Sequence, residues 1–274
     1  MSRPAKAVPR LLFALLLVTS AAAAAGAALW WSLPSVAALA TRVPRTTALL
    51  EQRRAEARRA GRPYEVDLRP VPLDRISPRL AESVVLSEDA AFFGHSGFDW
   101  REIRNAAEQN LRAGRTVRGA STITQQLAKN LFLGTERSYA RKIKEAALAW
   151  KLEHALSKRR ILALYLNAVE WGRGVFGAEA AARHWFGVPA VDLDVAQSAA
   201  LAAMLPAPRR AALSPAPPWL ARRARKVLGL MRQTGKLDDD EYVRAAAELE
   251  RMLGEAPPAG DEEPPEDEGD PAAP

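Results

Sequence analysis

The sequence predicts a mainly α-helical protein in which one N-terminal membrane helix precedes a helical domain. No charged residue occurs from Leu11 to Thr41, a run of 31 residues that is long enough to cross a bilayer. From Leu80 to Pro208, apolar residues recur at helical spacing and few stretches alternate as strands do. Thr122 and Gln125 have the spacing of a capping box, which predicts a helix start near residue 122.

The N-terminal segment has the layout of a membrane anchor. A basic leader, residues 1–10, precedes Leu11–Leu33, whose 23 residues would form a helix of about 34 Å. Pro34 limits this helix, and Trp30 and Trp31 stand at its far end, where aromatic residues favour the membrane interface. We therefore expect a single-pass protein whose N-terminus lies in the cytoplasm and whose remaining chain lies outside it.

A cleaved signal peptide is the alternative for this segment. The small residues Ala21–Ala25 would provide a cleavage site. The apolar run, however, exceeds the usual signal-peptide core of about 7–15 residues, which favours an uncleaved anchor. In both cases the rest of the chain is exported.

The remaining chain divides by composition into three parts. Residues 34–70 are basic and helix-prone, so we expect a juxtamembrane linker that is either a solvated helix or a surface lying on anionic headgroups. Residues 71–254 are expected to form the main domain, with helices from residue 122 through Leu131 and over Arg141–Leu156 and Arg159–Val169. Residues 255–274 are acidic and rich in proline, which predicts a disordered tail.

Charge and cysteine content limit the classes of function. The chain has 274 residues, no cysteine and a net charge of +7, which becomes +15 when the eight acids of the tail are set aside. The absence of cysteine excludes disulfides, thiol nucleophiles, zinc fingers and iron–sulfur clusters. A basic domain fits nucleic acid, anionic lipid or a phosphorylated substrate. Nucleic acid is disfavoured because no binding motif is recognised and the domain is exported.

Two adjacent acids follow an apolar stretch and precede aromatic residues. Glu88 and Asp89 come after Val84–Leu86, and a carboxylate beside apolar bulk can acquire a raised pKa and act as a general base. A helix cap or a salt bridge is the common alternative for such acids. His95 is expected to stabilise its loop, because no paired-ligand spacing supports a metal cage.

A second acid lies among cations. Glu145 is four residues from Arg141 and shares a helix face with Leu148, so a buried Glu145 would need basic partners. A stabilising ion pair at a helix start is the alternative. The bases around this carboxylate suit a diphosphate group; they are Lys129, Arg137, Arg141 and Lys144.

The helix that starts near residue 122 is unusually polar. Ser121, Gln125 and Gln126 could line a groove and hydrogen-bond sugar hydroxyls or phosphate oxygens. An exposed polar face explains the same composition.

Taken in order along the chain, these motifs resemble those of the peptidoglycan glycosyltransferases, glycosyltransferase family 51. The resemblance covers Glu82 to Pro208, with departures at Gln197 and Ala207. The matching positions are Glu88, Asp89, Phe92, His95, Gly97 and Asp99; Gly119, Ser121, Thr124, Gln125, Gln126, Lys129 and Asn130; Arg141, Lys142, Glu145, Leu152 and Glu153; Lys158, Ile161, Leu162, Tyr165, Leu166 and Asn167; and Gly177, Ala181, Ala182, Phe186, Gly187, Leu201, Ala202, Leu205 and Pro206.

The resemblance implies a lysozyme-like helical domain with a small membrane-proximal jaw lobe. It also implies an enzyme that polymerises lipid II into β-1,4 glycan strands and displaces undecaprenyl pyrophosphate with inversion. Glu88 would be the base and Glu145 would help to arrange the donor site. The pyrophosphate would be held by Lys129, Arg137, Arg141 and Lys144, and the substrate would contact Ser121, Gln125 and Gln126.

The same resemblance sets expectations about cofactors, partners and location. No cofactor is clearly required and no metal ligands stand out, although a divalent cation, Mg²⁺ or Mn²⁺, at the pyrophosphate would fit the family. The expected partners are lipid II, the growing glycan strand, membrane lipids and cell-wall synthesis proteins. The expected location is the bacterial inner membrane, with the catalytic domain on the periplasmic side.

The sequence also bears on whether the protein has a second activity and on which alternative functions fit. No Ser-x-x-Lys or Lys-Thr-Gly motif occurs, so we expect a monofunctional enzyme without a penicillin-binding transpeptidase. A lysozyme-like lytic or hydrolytic muramidase is one alternative, since such folds also place a glutamate beside an apolar cleft. A catalytically inactive, membrane-anchored glycan-binding protein is the other.

Overall fold

The fold was obtained as a computed structural model, which describes residues 7–115, 119–135 and 138–254. The first helix, α1 (Ala7–Ser32), begins four residues before the predicted anchor Leu11–Leu33 and ends one residue before its last residue. Its segment Leu12–Ser32 is long and apolar enough to cross a membrane, a property that signal sequences share. Most of the predicted basic leader and the whole predicted acidic tail, residues 255–274, lie outside the described residues.

The described chain is mainly helical, which confirms the predicted fold class. Short 3₁₀ turns and a small sheet connect the helices. The helices after α1 are α2 (Ala48–Arg59), α3 (Pro78–Glu88), α4 (Trp100–Ala113), α5 (Ile123–Phe132), α6 (Tyr139–Ala155), α7 (Lys158–Ala168), α8 (Ala178–Phe186), α9 (Val195–Met204), α10 (Pro218–Gln233) and α11 (Asp239–Leu253). The three helices predicted between residues 122 and 169 are thus confirmed as α5, α6 and α7.

The sheet is small and lies beside α8. It has three strands, β1 (Asp67–Leu68), β2 (Glu170–Gly172) and β3 (Val175–Phe176), in the order β1-β3-β2. β3 is parallel to β1 and antiparallel to β2. Gly174 adopts a φ of +77° in the tight turn before β3, where a Cβ would lie 2.2 Å from the Glu65 carbonyl oxygen. Glycine is therefore required for the sheet to close.

The core has α9 near its centre. All residues of Ala199–Met204 are buried, and α9 packs against α3, α10 and α11. On the other side of the core, α5 packs against α2, α6 and α7. Gln197, one of the departures from the family pattern, completes a capping box with Asp194 at the start of α9. Glutamine and glutamate both serve at this position of a capping box, so the departure leaves the helix start intact.

Residues 34–70, predicted as a linker, pack against the domain. Val36 and Leu39 belong to the main core cluster, while Leu49 and Leu50 form a second cluster with Phe176. The segment is thus neither a solvated helix nor free to lie on headgroups over its whole length. The linker was predicted from its high content of arginine, although α2 also has an apolar face that includes Leu49 and Leu50.

One of those arginines is itself buried. The Arg53 side chain is 3% exposed, and its Nε lies 3.0 Å from Oε2 of the buried Glu170 in β2. The hydroxyl of Tyr64 lies 3.3 Å from the other oxygen of Glu170. Because breaking a buried ion pair is costly, this network joins α2 firmly to the sheet.

Candidate active site

Glu88 is the last residue of α3 and has two protein partners. Its side chain is 10% exposed, and Oε1 lies 2.7 Å from Nη2 of Arg223 in α10. Its Oε2 accepts a hydrogen bond of 2.9 Å from Nε2 of Gln126 in α5. Three helices that are distant in sequence therefore hold one carboxylate. Since a carboxylate can accept about four hydrogen bonds, each oxygen keeps a lone pair that no described residue occupies.

Tyr165 sets the orientation of Gln126. Its hydroxyl donates to Oε1 of Gln126 over 2.9 Å, which turns the amide nitrogen towards Glu88. Complete burial, and then the negative charge of Glu88, raise the pKa of Tyr165 well above its ordinary value. The phenol therefore stays protonated and acts as a donor at neutral pH.

The neighbouring acid, Asp89, has a structural role. Its Oδ2 accepts from the backbone N–H of Ile123 at the start of α5, over 3.0 Å. Its Oδ1 lies 2.8 Å from Nε2 of His95, whose Nδ1 accepts from the N–H of Gly97. These partners assign the proton of a neutral His95 to Nε2. The expectation that His95 stabilises its loop agrees with this geometry, and Asp89 ties that loop to the start of α5.

The start of α5 forms the predicted capping box. Thr122 accepts from the backbone of Gln125, and Oε1 of Gln125 accepts from the N–H of Thr122 over 3.0 Å. Gln125 is buried, so this geometry gives it a role in starting the helix, and its substrate contact stays a prediction. Ser121 is exposed just before the helix, and its hydroxyl accepts from Nζ of Lys142 over 3.2 Å.

Glu145 is buried in α6 with two cations on its carboxylate. It is 2% exposed. Nη1 of Arg141 lies 2.6 Å from Oε2, and Nζ of Lys142 bonds Oε1. A buried carboxylate requires such compensation. The predicted pair of Arg141 and Glu145 is present, and Lys142 is a partner that the sequence list of phosphate-binding residues omitted.

The pKa of Lys129 is affected by the charges of both glutamates. Burial lowers the pKa of its ammonium, against the opposing effect of Glu145, while Arg141 and Lys142 lower the pKa further. The negative charge of Glu88, like that of Glu145, raises the pKa of Lys129. Lys129 lies on α5 one turn after Gln126, the residue that bonds Glu88. A bound anion would favour the charged form of Lys129.

One predicted cation, Lys144, is not brought into this cluster. Lys144 is exposed and makes no hydrogen bond or ion pair with any residue that the structure describes. Arg137 lies outside the described residues. Arg223, by contrast, bonds Glu88 directly, and Tyr165 bonds Gln126, which in turn bonds Glu88. Neither residue was assigned to the site from sequence. Arg223 is 135 positions from Glu88, and no local pattern signals that pairing.

The connection from α5 to α6 is held by α2. Oε1 of Gln52 accepts from the N–H of Thr135 over 2.8 Å, and Nε2 of Gln52 donates to the Thr135 hydroxyl over 2.6 Å. Gly134 has a φ of +72°, and a Cβ there would lie 2.6 Å from Oε1 of Gln52. The glycine thus permits the amide to reach the loop, and α2 fixes the point where α5 ends.

The described residues do not fit a resident metal ion. In the ranges that the structure describes, no group of three or more His, Asp and Glu side chains has an arrangement that could hold a metal ion. Both oxygens of Glu145 bond to cations, which excludes them as ready ligands.

The helical domain joins a membrane-length helix to a held carboxylate beside clustered cations. A held carboxylate beside clustered cations is typical of enzymes that act on anionic substrates, and the apolar helix is long enough to cross a membrane. The chain belongs to the transglycosylase family, whose family model matches residues 54–232. The predicted family is thereby confirmed, together with the predicted class of enzyme, a peptidoglycan glycosyltransferase.

Three relatives are each named biosynthetic peptidoglycan transglycosylase. The protein from Nitrosospira multiformis is 45% identical over 188 residues, which cover 69% of this chain and 82% of the relative. The protein from Laribacter hongkongensis is 51% identical over 166 residues, covering 61% of this chain and 73% of the relative. The protein from Bordetella pertussis is 52% identical over 183 residues, covering 65% and 76%.

A solved structure, penicillin-binding protein 1A from Haemophilus influenzae, is also similar. Its TM-score is 0.38 at 19% identity, and the match covers 68% of this chain and 18% of that one.

Proposed function

We propose that the protein polymerises lipid II into β-1,4-linked glycan strands, with Glu88 as the general base. The observation that carries the proposal is the position of Glu88. Its carboxylate is held by Arg223 and Gln126, while the charge of Lys129 links it to the cluster of Arg141, Lys142 and Glu145. A base and an anion-binding cluster in one site match what the transfer of a glycosyl pyrophosphate needs.

The bond changes follow from this arrangement. The 4-hydroxyl oxygen of the acceptor sugar attacks the anomeric carbon of the donor, and its proton passes to a free lone pair of Glu88. The bond from that carbon to the pyrophosphate oxygen breaks, and the pyrophosphate leaves with the electron pair. The new bond forms on the opposite face, so an α-linked donor becomes a β-linkage. No acid is needed, because the pyrophosphate leaves as a stable anion.

The cations stabilise the charge that develops on the departing pyrophosphate. Lys129, Arg141 and Lys142 carry three positive charges around the single negative charge of Glu145. Glu145 thus acts as a positioning residue that orders the cations, and the remaining positive charge faces the pyrophosphate. Mg²⁺ or Mn²⁺, if bound, would take its ligands from the pyrophosphate oxygens of the substrate.

The membrane helix explains how the enzyme meets a lipid-linked substrate. α1 spans the bilayer with the basic leader in the cytoplasm and the domain on the outer side, as the positive-inside rule favours. Anchoring restricts the search for lipid II to the membrane surface and raises its effective concentration. Cell-wall synthesis proteins and the growing strand remain the expected partners.

The test is to incubate the full-length protein in detergent with lipid II or with finished glycan. Longer strands from lipid II, with finished glycan left intact, are expected. Shortening of the finished glycan would instead establish the muramidase alternative. Binding of glycan without growth or shortening would establish the inactive binding protein.

A further inference from the structure

The end of the membrane helix is fastened to the catalytic domain. The ring of Trp30 in α1 meets the ring of Trp150 in α6 edge to face, with centroids 5.1 Å apart. The ammonium of Lys151, the next residue of α6, lies 4.5 Å from the centroid of the Trp30 ring. An aromatic pair and a cation–π contact thus join α1 to α6.

Lys151 also supplies partners to the last carbonyls of α1. Its Nζ donates to the Trp30 oxygen over 3.2 Å and to the Leu33 oxygen over 3.4 Å. The final carbonyls of a helix have no partner within the helix and carry partial negative charge. The last turn of α1 contains no basic residue of its own, so the domain provides the cation.

The chain that follows α1 is also fixed. Leu33, Val36 and Leu39 are buried in the main core cluster. The guanidinium of Arg160 in α7 donates to the Leu39 oxygen over 2.6 Å and to the Arg42 oxygen over 2.9 Å. The backbone between α1 and α2 is therefore held by packing and by side-chain donors from two helices of the domain.

We propose that Lys151 and Arg160 form a rigid mount, which holds the catalytic domain at a fixed height and tilt over the bilayer. The proposal rests on the proposed function, because orientation matters only when the substrate is embedded in the membrane. A flexible tether would confine the domain to the surface and leave its orientation free. Here the substrate's lipid tail fixes the height of its pyrophosphate, and the mount matches the site to that height.

The lipid surface itself is the partner that the mount faces. Trp31 is 80% exposed and Trp150 is 45% exposed, next to the point where α1 ends. Tryptophan favours the headgroup layer. A cavity of about 430 Å³ lies between α1 and α6, and its lining includes these two tryptophans, Lys151 and His154. None of its lining residues is acidic, which is compatible with phospholipid headgroups.

The experiment compares two substrates with full-length protein in vesicles of phosphatidylethanolamine and phosphatidylglycerol. One substrate is lipid II in the bilayer, and the other is a water-soluble lipid II analogue with a short prenyl chain. The first variant combines Lys151→Met with Arg160→Met. The second inserts about ten glycine and serine residues between Ser32 and Leu33, which separates α1 from a domain whose own contacts are unchanged.

Both variants are expected to lose about tenfold in rate on bilayer lipid II, because a misplaced substrate reacts slowly. Their kcat/KM for the soluble analogue is expected to stay within about twofold of wild type. Lys226→Met, at an exposed residue of α10, is the matched control and should not change either rate.

If both variants polymerise bilayer lipid II at the wild-type rate, the proposed mount is wrong. An equal loss on both substrates by the insertion variant would also overturn it, since this would mean damage to the site itself. If wild type polymerises neither substrate, the proposed function fails instead, which is a distinct result.

Discussion

Arg223 and Glu88 are 135 positions apart in the chain, and their side chains lie 2.7 Å apart between Nη2 and Oε1. The same Arg223 nitrogen lies 3.5 Å from the Ser87 carbonyl oxygen. α10 therefore fixes the end of α3, where the candidate base stands. The ion pair is partly exposed, so its value lies in placing the carboxylate more than in stabilising the fold.

Removing this guanidinium should slow catalysis. We expect Arg223→Met to lower kcat by about 10–100-fold, because the carboxylate loses the contact that orients it. Initial rates of lipid II polymerisation, measured over a range of substrate concentrations, separate kcat from KM. Arg225→Met is the control on the same helix, since it breaks only an exposed pair with Glu250. A normal kcat in Arg223→Met would mean that Glu88 is positioned without α10.

Tyr165 should matter through Gln126. Tyr165→Phe removes the hydroxyl that bonds Oε1 of Gln126 and leaves that oxygen without its donor. We expect a loss of about 1 kcal/mol in the free energy of unfolding and a fall in kcat. Chemical denaturation in detergent and the polymerisation rate measure the two effects. Tyr139→Phe, at a residue that is 94% exposed, should alter neither. If Tyr165→Phe also alters neither, the phenol does not orient Gln126.

The charge of Lys129 is expected to lower the stability of the fold and to support polymerisation. Burial lowers its pKa, so its charge opposes folding at neutral pH. We expect Lys129→Met to raise the free energy of unfolding by about 1 kcal/mol and to abolish most polymerisation. Lys226→Met, which removes an exposed cation, is the control for charge.

The pH dependence of stability provides a second test of Lys129. Between its lowered folded pKa and the unfolded lysine value of about 10.4, the unfolded state binds more protons, so its contribution to stability rises with pH. The difference in unfolding free energy between Lys129→Met and wild type should therefore shrink as pH rises through this window. A difference that grows with pH would contradict the assigned direction.

Gln52 should affect the site from a distance. Its amide holds Thr135 at the junction between α5 and α6, which carry Lys129 and Glu145 respectively. We expect Gln52→Leu to raise KM for lipid II several-fold, with a smaller change in kcat, because the cations lose their relative placement. Gln233→Leu, at an exposed position of α10, is the matched control. If KM in Gln52→Leu is unchanged, the loop keeps its place without α2.

Local patterns predicted the parts of the site that lie within single helices. The capping box of Thr122 and Gln125 and the ion pair of Arg141 and Glu145 both depend on neighbours three or four residues apart. Such spacing can be read from sequence because one turn of helix brings those positions together. The order of the motifs then identified the family.

Local patterns could not predict contacts between elements that are distant in sequence. Arg53 pairs with Glu170 across 117 positions, and in sequence it was one of several arginines in an apparently solvated segment. Lys144 was predicted as a phosphate-binding residue and Lys142 was not, yet Lys142 is the one that bonds Glu145. Helical spacing distinguishes the two, because Lys142 is three residues from Glu145 and shares its face, whereas the adjacent Lys144 does not.

The role of Glu88 as the general base is tested most directly by the polymerisation of lipid II by Glu88→Gln, with lipid II binding measured on the same preparation. Glutamine keeps the size of the side chain and one acceptor oxygen, and it removes the proton-accepting carboxylate. We predict a loss of at least about 100-fold in rate, as expected for a missing general base, with binding retained. Glu248→Gln, on the exposed side of α11, should behave as wild type. A Glu88→Gln enzyme that polymerises lipid II at the normal rate would contradict the assignment of Glu88 as the base.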